Sequence, residues 1–279
     1  MKVLVTGVSG QLGFDVMREL LARGIEAKGA SRSDFSLTDF AAMRRFVEAH
    51  RPTVIIHCAA YTAVDKAEDE PELCREVNAA ATGELARLAK EIGAKFLYIS
   101  TDYVFPGTGE DFYEPEDEKA PCNVYGESKL LGEEAAREAL EELFIVRISW
   151  VFGENGKNFI KTMLRLAETH EELSVVGDQI GSPTYTRDLA RLLADMIVTE
   201  KYGVYHATNE GTCSWAELAA EALRCAGKKT RVRAIKTEEY PTKAKRPKNS
   251  RLSKKCLDDA GFSRLPDWRD AVARYVELI

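Results

Sequence analysis

The chain has 279 residues, 45% hydrophobic and 30% charged, with a formal net charge of −6 at pH 7. Its length allows one large domain or two modest ones, and its composition is that of an ordinary globular protein. The acidic balance argues against an obligate nucleic-acid binder, and no apolar run approaches the length of a membrane span. Six cysteines (Cys58, Cys74, Cys122, Cys213, Cys225 and Cys256) are scattered, with no CxxC pair and no Cys/His run of metal-ligand spacing. Such cysteines read as small buried thiols in a reducing compartment. Met1–Gly7 reads as a strand entering a glycine turn rather than as a signal peptide, so a cytoplasmic location is expected.

Taken in order, the first half alternates short apolar runs with amphipathic stretches. Strands are expected at Val3–Val5, Ile25–Ala30, Thr53–His57, Phe96–Ser100 and Phe144–Ile148. Helices are expected at Leu12–Arg23, at Thr38–His50 behind a Thr38 cap, at Glu72–Ile92 after Pro71, and at Val124–Leu140. Strict alternation of this kind implies an α/β fold, a Rossmann-type doubly wound parallel sheet over residues 1–150. The rhythm then changes. Helices at Asn158–Glu168, Arg187–Val198 and Ser214–Ala226, the last with a Ser214/Glu217 capping box, surround a short strand at Leu173–Val176. Residues 151–279 are therefore expected to form mainly a smaller substrate-binding lobe, with some chain returning to the first domain.

Gly7, Gly10 and Gly13 follow the first strand and open the first helix. Glycines permit a tight turn and close backbone approach, and a helix N-terminus offers free N–H groups to a dinucleotide pyrophosphate. The spacing is GxxGxxG rather than the commoner GxGxxG, so its place in the first βα unit carries the reading. Near the end of the second strand Arg32 could pair with a 2′-phosphate, while Asp34 could take a ribose hydroxyl. NADPH is favoured over NADH, and both stay open.

Of ten tyrosines, only Tyr125 has a lysine four residues on, Lys129. One such pair is close to chance, so context decides. The pair opens a helix after a strand and a polar loop, and Thr101 follows the fourth strand. In a parallel sheet ligands bind at the carboxyl ends of strands, which can bring all three together. Reduction of a ketone builds an alkoxide that needs a proton. A free phenol, with pKa about 10, suits neutral pH poorly, and a nearby ammonium would lower it. Thr101 can hydrogen-bond the developing oxyanion. These residues point to a nicotinamide-dependent oxidoreductase.

The same residues resemble the extended short-chain dehydrogenase/reductases, and within them the dTDP-4-dehydrorhamnose reductases. The resemblance covers essentially the whole chain: Gly7–Gly13, Ala59–Asp65, Ser100–Phe105, Asn123 to Lys129, Ser149–Gly153, Asn158–Ala167, Asp178-Gln179 with Gly181–Thr184, and Arg246–Leu252. It implies that Tyr125 is the proton donor, Lys129 its partner and Thr101 the hydroxyl that tunes it, with Thr101, Asp102 and Trp150 contacting the sugar. It implies further that Gly10, Gln11 and Leu12 line the pyrophosphate, Asp34 and Phe35 the adenosine end, and Ala59, Ala60 and Tyr61 the inner face of the cofactor. The implied reaction reduces the C4 ketone of dTDP-4-dehydro-L-rhamnose to dTDP-L-rhamnose. Some members dimerise through magnesium held by acids. Asp15 and Glu277 match, but Arg187 stands at the third position, where a cation would repel the ion, so no metal is expected.

Lys228–Lys255 holds twelve Lys/Arg against Glu238 and Glu239. Most read as a solvated face. Arg246, Asn249 and Arg251, within the family-like segment, are expected to bind the substrate pyrophosphate. Nucleic acid would call for interleaved aromatics, and Tyr240 stands alone. The rival functions are a nucleotide-sugar epimerase or dehydratase of the same fold, and a non-catalytic NADP-binding regulatory subunit. Either a monomer or a homodimer is compatible with the sequence.

Overall fold

The computed structural model describes residues 1–279. Its centre is a six-stranded sheet whose strands are β1 (Lys2–Thr6), β2 (Glu26–Ala30), β3 (Val54–His57), β4 (Lys95–Thr101), β5 (Leu143–Ile148) and β6 (Gly203–His206). All pairs are parallel, in the order β6-β5-β4-β3-β1-β2. The apolar runs of β1, β3 and β5 are buried on both faces, as a parallel sheet covered by helices requires. Because β2 and β3 flank β1 on opposite sides, the switch point of the topology lies between β1 and β3, where a crevice opens at the carboxyl ends of strands.

Helix α1 (Gln11–Ala22) packs on one face, and α2 (Phe40–His50), α3 (Ala81–Ile92) and α4 (Val124–Ala139) on the other. The cap of α2 is Asp39, not Thr38: its carboxylate accepts from the Ala42 N–H at 2.9 Å. The expected Glu72–Ile92 helix is present but broken in style. A short helix at Pro71–Arg75 passes through a π-turn, Glu76–Ala80, into α3. Two elements beyond residue 150 return to the first domain: α5 (Thr186–Ile197), which lies against α1, and β6, which extends the sheet beyond β5.

The remaining chain makes the smaller lobe. Strands Glu172–Val176 and Arg231–Ile235 pair in parallel, and Ile180–Gly181 pairs with both Cys213–Ser214 and Asn249–Ser250. Around them pack helices Phe159–Leu166, Trp215–Cys225 and Trp268–Val276 over two apolar cores of their own. The Ser214/Glu217 capping box forms as expected. No helix is long and apolar enough to cross a membrane.

Candidate active site

The glycine turn sits at the switch point, and its three glycines do different things. Gly7 has φ +72°, and a Cβ there would lie 2.7 Å from the Ala59 nitrogen; one on Gly13 would lie 2.4 Å from the Gly7 carbonyl oxygen. These two let β1, α1 and the segment after β3 close on one another. Gly10 is exposed, and its nearest obstacle is 3.2 Å away. It caps α1 with no side-chain hydrogen bond, and no acid lies in the first turn. The free N–H groups and positive end of α1 are thus open to an anion.

Of the neighbours named from sequence, Gln11 is engaged sideways, its carbonyl accepting from Asn158 Nδ2 at 3.0 Å. Asn155 donates to the carbonyls of Ser9 at 2.9 Å and Gly10 at 3.3 Å, so the smaller lobe braces the turn. Leu12 is buried in the core, which leaves only its backbone N–H to the turn. Past β2, Arg32 is exposed. The Asp34 carboxylate accepts from the Ser31 N–H and Oγ, both at 2.9 Å, and these bonds hold it below the usual carboxylate range. The Phe35 ring, expected at the adenosine end, instead packs in the core, 5.2 Å from the Phe46 ring.

After β3 the Ala59 N–H donates to Thr6 Oγ1 at 3.1 Å. Asn78, buried in the π-turn, holds Tyr61 at both its N–H (2.8 Å) and its carbonyl (3.0 Å), and donates to Ser128 Oγ at 2.9 Å. Ser128 in turn donates to the Tyr125 carbonyl at 2.7 Å. The π-turn therefore ties the wall of the crevice to the start of α4. Asn78 went unnoticed in the sequence, although an asparagine within a helical pattern is a poor helix former and a usable signal.

Tyr125 lies in the first turn of α4, whose Asn123 cap accepts from the Gly126 N–H at 2.8 Å. Gly126 lets the helix touch the turn after β4, since a Cβ there would sit 2.2 Å from the Tyr103 carbonyl oxygen. Burial pushes the Tyr125 phenol up, the Asp102 carboxylate adds to this, and the neighbouring Thr101 hydroxyl opposes both. Thr101 donates to Asp102 at 2.9 Å. Asp102 is 4% exposed and accepts from Ser250 as well; burial pushes it up to about 6 against these two bonds.

Lys129 departs from expectation. Its ammonium is held by the sheet: Nζ donates to the Ile99 carbonyl at 2.7 Å and sits 4.0 Å from the centre of the Tyr98 ring. Burial pushes it down to about 7, and Glu133 pulls it back up. The phenol is held high rather than lowered, because burial and Asp102 dominate it.

The C-terminal segment closes the other side. Arg246 pairs with Asp65 at 2.7 Å and its charge opposes the burial that raises Tyr103, whose ring meets Tyr125 edge-on at 5.6 Å. Asn249 is buried: it donates to the Thr108 and Asp111 carbonyls (3.2 and 2.8 Å) and accepts from Arg251 at 2.9 Å, so it positions a loop and an arginine. Beside them opens a cavity of about 820 Å³ between Pro106–Glu110 and Thr237–Arg251, with Lys243, Lys245, Arg246, Lys248 and Arg251 on its wall. Elsewhere in the basic stretch Arg231 and Arg233 pair with Glu172 at 3.8 and 3.6 Å, and on the wall itself Lys248 pairs with Glu238 at 2.8 Å. Trp150 takes φ +50°, a strained value for a bulky residue, and stacks 3.9 Å from Trp215, which the sequence reading missed. Asp15 accepts from Thr186 and pairs with Arg18 at 2.8 Å, joining α1 to α5, while Arg187 pairs with Glu154 at 3.6 Å and Glu277 caps the last helix.

Comparison with known proteins bears on this geometry. A family model described as the RmlD substrate binding domain matches residues 1–279. The chain is 40% identical to the spore coat polysaccharide biosynthesis protein SpsK of Bacillus subtilis, covering 99% of this chain and 97% of that protein. It is also 40% identical to the dTDP-4-dehydrorhamnose reductase of Burkholderia thailandensis, over 98% of this chain and 97% of the other. Among solved structures, the dTDP-4-dehydrorhamnose reductase of Bacillus anthracis in complex with NADP superposes with a TM-score of 0.97 at 41% identity, covering 100% of both chains. The chain belongs to the dTDP-4-dehydrorhamnose reductase family.

Proposed function

We propose that the protein reduces the C4 ketone of dTDP-4-dehydro-L-rhamnose to dTDP-L-rhamnose. The observation that carries this reading is the convergence of Thr101, Asp102 and Tyr125 between the glycine-turn crevice and a basic cleft. The crevice residues fit a dinucleotide. The open N-terminus of α1 takes the pyrophosphate, Gly7 and Gly13 let the wall close, and exposed Arg32 suits a 2′-phosphate, so NADPH is preferred to NADH. The bound dihydronicotinamide supplies the hydride.

Every other step belongs to the chain. Tyr125, kept protonated by burial and by Asp102, gives its proton to the C4 oxygen, and Thr101, swinging its hydroxyl proton from Asp102, donates to that oxygen as charge develops on it. Lys129 supplies positive charge at the base of the site. Arg246 and Arg251 grip the substrate pyrophosphate, with Asn249 bracing Arg251, and Trp150 packs on the sugar. Residues 1–150 serve the cofactor with α5 and β6 added, and the rest of 151–279 serves the substrate. Mixed with NADPH or NADH and enzymatically generated dTDP-4-dehydro-L-rhamnose, the purified protein should consume the cofactor and form dTDP-L-rhamnose. No turnover with either cofactor contradicts the reading.

A further inference from the structure

The central sheet carries a polar row through an otherwise apolar interior. Ser100 on β4, Arg147 on β5 and His206 on β6 lie abreast in the strand register. Over them stands Glu133 of α4, one helical turn beyond Lys129. Arg147 and Glu133 are both 0% exposed, and the guanidinium grips the carboxylate twice, Nε to Oε1 at 2.8 Å and Nη2 to Oε2 at 2.7 Å. Ser100 adds a hydrogen bond to Glu133 at 2.6 Å, and Arg137 reaches it at 3.1 Å. The last Arg147 nitrogen donates to the Pro115 carbonyl at 2.9 Å. Replacing such a buried pair by apolar side chains is often neutral or stabilising, so stability does not explain it.

Its neighbours do. Ser100 lies between Ile99, whose carbonyl holds the Lys129 ammonium, and Thr101 of the candidate site. We propose that Glu133, held by Arg147 and Ser100, is a positioning residue that keeps Lys129 charged and fixes the Ile99–Thr101 edge beneath Tyr125. Lys129 has no carboxylate in ion-pair contact, and the groups around it supply no charge. From β3 and the loop after it come His57, pushed down to about 3 by burial, and Cys58, pushed up to about 12 by burial. Cys74 from the short helix, and Tyr98 from β4, are also raised by burial. Tyr125, on its own helix, is raised likewise. Glu133 alone is ionised, kept below the usual carboxylate range by Arg147 against its burial. Removing its charge takes away the main attraction on an already disfavoured ammonium, so Lys129 must lose its proton at lower pH.

This inference rests on the proposed reductase reading for its kinetic arm only. The direct test follows the Lys129 ammonium by ¹⁵N NMR of the unliganded protein, the signal being assigned by its absence from Lys129→Met. Glu133→Gln should lower its titration midpoint by about one pH unit. The kcat for the keto-sugar should then fall about tenfold at pH 8 but only about twofold at pH 6, with KM little changed. Glu133→Leu/Arg147→Met, an apolar pair chosen to fold whether or not Glu133→Gln does, should also lower the midpoint. An unchanged midpoint in the variants that fold, or a rate lost equally at every pH, overturns the proposal. Absence of wild-type turnover would count against the reductase reading while the titration still decides this one.

Discussion

Tyr125 and Lys129 stand one turn apart on α4 yet face different surroundings. The phenol looks toward Thr101 and Asp102, and the ammonium toward the Ile99 carbonyl and the Tyr98 ring. For a reductase this division is useful, because a proton donor must hold its proton until the ketone accepts it. Arg32 offers a separate test at the same scale. It is the exposed cation at the end of β2. Arg32→Ala should weaken NADPH binding by about tenfold, roughly the 1.4 kcal/mol of one charge-assisted contact, while leaving NADH unchanged. Fluorescence titration with both cofactors reads the difference, and an equal loss for both would remove Arg32 from the 2′-phosphate.

At the scale of elements, the turn after β1 separates folding from binding. A Cβ on Gly13 meets the Gly7 carbonyl at 2.4 Å, whereas one on Gly10 meets nothing nearer than 3.2 Å. Gly13→Ala should therefore lower stability in urea by about 1–3 kcal/mol. Gly10→Ala should keep the wild-type midpoint and weaken cofactor binding instead. Equal midpoints for the two variants would show that packing does not distinguish the glycines. This turn, the β/α alternation and the Tyr125–Lys129 helix were legible because each is a local pattern of period or spacing. What escaped depends on partners far along the chain. β6 was not foreseen because Gly203–His206 is short and becomes a strand only beside β5. Ser250 reaches Asp102 across 148 residues. Arg147 interrupts an apolar run, and nothing local announces Glu133 as the group that neutralises it. The resemblance implies cofactor contacts for Phe35 and Leu12, whose apolar side chains go inward.

The whole molecule should respond to acid through its buried histidines. His57 and His206 are buried, and burial pushes each down to about 3 from an ordinary value near 6.5. Between those values the unfolded chain binds two protons that the fold does not, so stability falls as pH drops below about 6.5. Asp102, pushed up to about 6, works the other way, because there the fold binds a proton that the unfolded chain releases. Two groups against one leave a net loss near one proton, about 1.4 kcal/mol per pH unit between pH 6 and 4. Urea midpoints measured from pH 7 to pH 4 should fall through that window, and a flat or rising series would contradict the assignment.

Tyr125 is assigned to deliver the proton to a keto-sugar held between the two lobes. Its most direct test is the rate of NADPH oxidation with dTDP-4-dehydro-L-rhamnose, wild type against Tyr125→Phe. The wild type should turn over steadily and the variant should lose roughly 10²- to 10⁴-fold in rate, with NADPH affinity little changed. A Tyr125→Phe rate equal to that of the wild type would contradict it.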